Sequence, residues 1–212
     1  MGIRNRLTKS ILLTGATTAL VVGVAVGTAA ALNVTFSITP GGAITASAGK
    51  TTLKDVNTGS VLSCTSSSSS GTLKSGHGIS GSNLGSITAL SFSNCTGPLG
   101  LTFTVTNSGF PWTLSGASFN ATTGVTTGHI AGIKSTLTGP SCTAQVGGAT
   151  AGSTGKVKVT YTNSTHKLKV LASGGNLHVF NVVGCAGLIN SGDATQFSGT
   201  YTVSPAQTIT SP

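Results

Sequence analysis

The stretch Lys156-Val157-Lys158-Val159-Thr160-Tyr161-Thr162, then Asn163-Ser164, then Thr165-His166-Lys167-Leu168-Lys169-Val170-Leu171 decides the fold. Apolar and polar residues alternate strictly on both sides of a two-residue turn signal. A period of two puts successive side chains on opposite faces, so the segment reads as a β-hairpin with one buried and one solvated face. The same alternation runs outward along the chain. Val34, Phe36 and Ile38 alternate with Thr35, Ser37 and Thr39. Leu101, Phe103 and Val105 alternate with Thr102, Thr104 and Thr106, and Tyr201 and Val203 repeat the pattern near the end. Threonine suits the wet face, because its branched Cβ favours extended backbone while its hydroxyl meets water.

Turn chemistry separates these runs: Pro40-Gly41-Gly42, Asn57-Thr58-Gly59, Gly139-Pro140 and Gly174-Gly175. No helical period appears after residue 31. The expected fold is all-β, an antiparallel β-sandwich or partly closed barrel of roughly ten to twelve strands. Residues 66–70, a run of five serines, read as a mobile loop. Residues 204–212 read as a flexible polar tail.

Before the first strand, Arg4, Arg6 and Lys9 lead into an apolar run over 11–26, followed by Gly27-Thr28-Ala29-Ala30-Ala31. That is the layout of a secretory signal peptide with cleavage after Ala31, and a signal-peptide helix is expected over 1–31. The competing reading is an uncleaved membrane anchor. It is weakened by Thr14, Gly15, Thr17 and Thr18, which dilute a run already near the lower length limit for a span. The leader has no cysteine for lipidation, and Arg4-Asn5-Arg6 is not a strict twin-arginine pair. Thr208-Ile209-Thr210-Ser211-Pro212 carries neither a hydrophobic tail nor a wall-sorting signal. Residues 32–212 are therefore expected to be one secreted domain, extracellular or loosely associated with the cell wall.

Charged residues make up 6% of the chain, against roughly 25% in an average domain. Asp55 and Asp193 are its two acids, and glutamate is absent. After residue 31, eight lysines against two aspartates leave a net charge of +6. Cys64, Cys95, Cys142 and Cys185 have no metal-binding C-x-x-C spacing, and in an exported chain they read as two disulfides. Three connectivities are open. Cys64–Cys95 with Cys142–Cys185 is preferred, because each pair then closes the shorter loop within one half of the chain.

Catalytic constellations are hard to assemble from this composition. A two-carboxylate mechanism would have to use Asp55, which looks like a strand end, and Asp193, which looks like a turn. No G-x-S-x-G elbow occurs. Ser47 with Lys50, Ser153 with Lys156 and Ser164 with Lys167 match S-x-x-K, as chance allows in so serine-rich a chain. His77, His129, His166 and His178 are dispersed; His166 and His178 could meet across strands, but surface or structural roles are expected. The protein reads as no enzyme, with no cofactor and no metal.

The basic excess has one dense cluster. In the hairpin, Lys156 and Lys158 share a face with Lys167 and Lys169. This patch could contact an anionic partner such as a cell-wall polymer or acidic polysaccharide, or it could simply keep an edge strand soluble. Specific nucleic-acid recognition is disfavoured, since residues 32–212 lack arginine and are poor in aromatics. Trp112, the sole tryptophan, could be a packing anchor beside a disulfide or an exposed platform for a sugar or alkyl ligand.

Ser93-Asn94-Cys95-Thr96-Gly97-Pro98-Leu99-Gly100-Leu101-Thr102, followed by Gly109-Phe110-Pro111-Trp112-Thr113, resembles a group of uncharacterised exported proteins of Gram-positive, high-GC actinobacteria. The likeness spans nearly all of the mature chain, including Leu188-Ile189-Asn190-Ser191-Gly192-Asp193 and Phe197-Ser198-Gly199-Thr200-Tyr201. It implies export and a β-rich fold. A narrower likeness, confined to the cysteine and Pro-Trp region, is to secreted activators of alkane oxidation. That one implies a non-catalytic helper in the use of hydrophobic substrates. Neither carries a functional residue over to this chain.

Two function classes are thus expected: a secreted non-catalytic protein acting at the cell surface or in the extracellular matrix, where it could bind anionic wall polymers, or an extracellular binding module or helper for small hydrophobic substrates such as alkanes. An apolar cleft near Trp112 would favour the second.

Overall fold

A computed structural model describes residues 34–212; the expected signal peptide lies outside the described residues. Fifteen strands and one 3-10 turn, Pro98–Gly100, make up the regular structure among them. The strands are β1 (Thr35–Thr39), β2 (Gly42–Ala48), β3 (Thr51–Asp55), β4 (Val61–Leu73), β5 (Gly76–Ser80), β6 (Gly85–Thr96), β7 (Thr102–Ser108) and β8 (Trp112–Asn120). They continue as β9 (Val125–Gly139), β10 (Cys142–Gly147), β11 (Gly155–Thr162), β12 (Lys167–Leu171), β13 (His178–Val183), β14 (Thr195–Ser204) and β15 (Thr208–Thr210).

Every strand pairing is antiparallel, and the pairings close on themselves. From β11 the neighbours run β12, β14, β2, β4, β6, β8 and β9, and β9 pairs back with β11. This is an eight-stranded ring in up-and-down order. Such closure pairs each of the eight ring strands on both sides, and eight strands leave an interior that side chains fill or that holds one small ligand.

Fifteen strands exceed the ten to twelve expected, because several wall strands are interrupted. β2 and β3 share the partners β4 and β14, and β7 and β8 share β6 and β9. β10 and β11 both pair with β9. β13 prolongs the line of β12, pairing with β10 as β12 pairs with β11. The breaks are short polar or glycine-containing insertions that a period-two reading passes over.

The alternation read from sequence sets the two sides of the wall. One belt of paired residues runs Thr126, Tyr161, Leu168, Tyr201, Ala48, Ser67, Phe92 on the inside. The neighbouring belt, Thr162, Lys167, Thr202, Ser47, Ser68, Ser91, faces out. A hydroxyl and lysine exterior around an apolar interior is the inverse of what lipid requires of a membrane barrel. Each buried Val, Ile or Tyr-sized side chain contributes roughly 1.5–3 kcal/mol, so the inward row is what holds the ring shut.

Two expectations are corrected. The five-serine run is not a mobile loop: residues 66–70 lie inside β4, all paired with β6, and 67–70 paired with β2 on the other side as well. Serine is small enough for the wall, and the Ser67 hydroxyl turns inward to donate to the Tyr201 oxygen at 2.9 Å. Nor is the C-terminus a flexible tail. β15 pairs with β1, and β1 with β5, as a separate three-stranded sheet. Its apolar side chains are buried, with Phe36 and Ile38 fully so. A methyl group at Gly116 of β8 would lie 2.7 Å from the Phe36 ring, so that glycine is where the small sheet seats against the wall. The Asn163 side chain, in the β11–β12 turn, makes two hydrogen bonds to the backbone of Ile209, at 2.8 and 3.0 Å. This sheet caps one end of the barrel.

The cysteines pair as expected, Cys64 with Cys95 and Cys142 with Cys185. Cys64 and Cys95 are direct neighbours across β4 and β6, and the second bond links the start of β10 to the residues after β13. Both lie toward the end of the barrel opposite the cap.

Candidate binding cavity

The inward side chains do not fill the ring. They leave a cavity of about 150 Å³ running along the interior. Phe92, Val105, Trp112, Val159, Val170 and Tyr201 are among the residues that line it. A dry apolar cavity of about this size accommodates a benzene-sized guest.

Trp112 is 3% exposed, so it is not a surface platform. Nor does it sit beside a disulfide: it pairs at Ile87, whereas Cys95 stands at the other end of β6. Its indole N–H donates to the Ser108 carbonyl at 2.9 Å, and its ring stacks on Phe110 with centroids 4.6 Å apart. The Gly109-Phe110-Pro111 break between β7 and β8 makes both contacts possible, because it returns Trp112 to the wall with its polar edge already satisfied. The ring that remains is an apolar panel of the cavity.

The polar groups on the wall are mostly paired. The Tyr161 hydroxyl donates to the Gln207 carbonyl at 2.9 Å where the cap meets the interior. Asn107 donates to the Leu90 carbonyl at 2.9 Å and accepts from the Ser135 hydroxyl at 2.6 Å. Burial raises the hydroxyl pKa of both Tyr161 and Tyr201 above the usual tyrosine value. Two lining atoms have no partner: Thr51 Oγ1 and Thr126 Oγ1 are buried and unbonded at the cavity. They are the points where a guest could meet a hydrogen-bonding group.

The four lysines lie on the outer face of β11 and β12. Lys169 is opposite Thr160, Lys167 opposite Thr162, and Lys158 opposite Leu171, so the charges are staggered along one face. Lys156, Lys167 and Lys169 are exposed and Lys158 is half-buried. His129 joins the face from β9, directly opposite Lys158. Burial lowers its pKa, and Lys156 and Lys158 lower it further. Asp55 and Asp193 are both buried, 2% and 9% exposed, so neither offers this face a surface counter-charge.

The remaining candidates stay apart. Ser47 faces outward, and the Ser153 hydroxyl bonds the Thr150 carbonyl at 2.6 Å. His166 sits 3.5 Å from the Tyr161 hydroxyl, and His178 opens β13 near the Asn176 carbonyl. Among the described residues no three His, Cys, Asp or Glu side chains gather as a metal site would need. The sequence reading missed the cavity itself, with Thr51, Thr126 and Gln207. Period two marks which side chains point inward, but not whether they fill the space. The chain matches no family model, no curated protein and no solved structure in comparison with each.

Proposed function

We propose that this protein is an extracellular, non-catalytic binding protein that holds one small, mainly apolar molecule inside its barrel. The observation that carries this reading is the apolar cavity of about 150 Å³ with Trp112 in its wall. Interiors are normally packed to crystal-like density, and an unfilled apolar space of this size forfeits dispersion contacts that a guest would restore. A closed eight-stranded ring with a polar exterior suits a carrier that must stay soluble while shielding its cargo. The resemblance of the cysteine and Pro-Trp region to secreted activators of alkane oxidation points the same way. The two disulfides and the near absence of surface acids suit an oxidising, extracellular setting.

The test is calorimetric titration of the purified mature protein with benzene and a short linear alkane series. One-to-one binding with a negative heat-capacity change is expected. No heat and no saturation across the series would remove this reading.

The lysine face supports a second reading, attachment to an anionic wall polymer. Four lysines and His129 share that face, and both acids are buried elsewhere. Retention on isolated cell walls at low salt, release at high salt, and loss of retention when Lys156, Lys158, Lys167 and Lys169 are changed to Gln would support it. The two readings are compatible, since one uses the inside of the wall and the other its outside.

A further inference from the structure

At the end of the barrel opposite the cap lies a second, smaller cavity of about 40 Å³. Its wall is mostly apolar, with Asp55, Ser60 and Thr195 as the polar side chains among its lining residues. Asp55 on β3 and Thr195 on β14 are direct cross-strand partners, and both face this space. Asp55 is 2% exposed and Thr195 is 7% exposed. One oxygen of the carboxylate, Oδ1, accepts from the backbone N–H groups of Asn57 and Thr58 at 2.8 and 2.9 Å. The other, Oδ2, has no hydrogen-bond partner, and neither has Thr195 Oγ1. An orphaned carboxylate oxygen and an orphaned hydroxyl thus share one small chamber.

A buried carboxylate oxygen without a donor is costly, and among the described residues lining the chamber there is no lysine or arginine. The neighbouring Lys54 is exposed, on the opposite face of β3. The rest of the lining excludes a hard metal ion, which needs many oxygen ligands. Leu53, Leu62, Phe103 and Ile189 instead supply aliphatic surface and one aromatic ring. A carboxylate and a hydroxyl beside an aromatic ring and apolar walls are the complement of a short alkylammonium ion. Its N–H groups would reach Oδ2 and Oγ1, and its carbon stem would lie against the leucines and Phe103.

We propose that this chamber is a second binding site, for the ammonium group of a small aliphatic amine. It is a distinct space from the large cavity, with which it shares Leu53, Leu62 and Leu137 as wall residues. Methylammonium and ethylammonium are the probes, titrated into the full mature protein and followed by amide chemical shifts. Ethanol and sodium chloride are the controls for shape and for charge. The expected result is saturable shifts at Asp55 and Thr195, with ethylammonium bound and neither control reproducing it. Asp55→Asn keeps the turn-capping oxygen but removes the charge, and should weaken binding roughly tenfold or more. Thr195→Val leaves the cap untouched and should weaken it several-fold. Equal shifts with sodium chloride, equal affinity for ethanol, unchanged affinity in Asp55→Asn, or no saturable response at all would each overturn the proposal.

Discussion

Tyr161 and Gln207 bond each other twice where the cap meets the barrel. The Tyr161 hydroxyl donates to the Gln207 carbonyl at 2.9 Å and accepts from the Gln207 backbone N–H at 3.2 Å. Gln207 in turn accepts from the Gly41 N–H through its side-chain oxygen at 2.9 Å. One phenol on the wall therefore anchors both the segment entering β2 and the segment entering β15. Tyr161→Phe leaves two buried backbone groups unpaired, and a loss of about 1–3 kcal/mol is expected in denaturant unfolding.

The same phenol gives a pH dependence. Burial raises the Tyr161 and Tyr201 pKa values above the unfolded value near 10. Below that pH both states keep the proton and the contribution to stability is complete. As pH climbs past the unfolded value the unfolded chain loses its protons first, and stability falls until the folded-state values are passed. Tyrosinate absorbance and circular dichroism should therefore change together in alkaline titration. Tyrosinate formation at the ordinary pH with no loss of structure would oppose this.

The serine run gives a sharper check on the fold. Residues 67–70 are paired on both sides within the ring. Their amides should exchange with solvent as slowly as those of β11, and Ser67→Ala should cost about 1 kcal/mol by removing the bond to Tyr201. Fast exchange across 67–70 would mean that the wall is open there.

His129 reports on the lysine face. Its pKa is lowered, so the folded protein binds fewer protons than the unfolded chain between that lowered value and about 6.5. Stability from this residue is complete above that window and declines as pH falls through it. Lys158→Gln should raise the His129 pKa in an NMR titration. No change would show that the two side chains do not share the face.

Reducing the disulfides should weaken the end away from the cap. Cys64–Cys95 and Cys142–Cys185 close loops with sequence separations of 31 and 43, and each is expected to contribute about 2–4 kcal/mol. Replacing Cys142 and Cys185 with Ala should lower the unfolding midpoint while amides in the cap keep their protection until global unfolding.

The hairpin 156–171 was legible because its apolar residues are large and its alternation strict. The serine run was not, because a strand whose inward residue is Ser67 carries no hydrophobic signal. β15 escaped for a different reason: in a segment of three residues, one buried Ile209 is too little to show a period. Lys156, Lys158, Lys167 and Lys169 fell on one face as the period required. Burial of Trp112 fits the packing reading of a lone tryptophan, whereas the orphaned hydroxyls of Thr51, Thr126 and Thr195 depended on ring closure, which joins β9 to β11 and β14 to β2. Pairing between strands that distant in sequence leaves no mark in local alternation.

The central claim is an interior that takes an apolar guest, and Trp112 is placed to report on it. It is the sole tryptophan of the chain, is buried, and lines the cavity. The direct measurement is quenching of its fluorescence by a small heavy-atom aromatic, iodobenzene, competed by benzene. Saturable quenching that benzene reverses, and that Ala46→Phe abolishes by filling the cavity without unfolding the protein, is the predicted result. Quenching that rises linearly with concentration, unaffected by benzene or by Ala46→Phe, would contradict it.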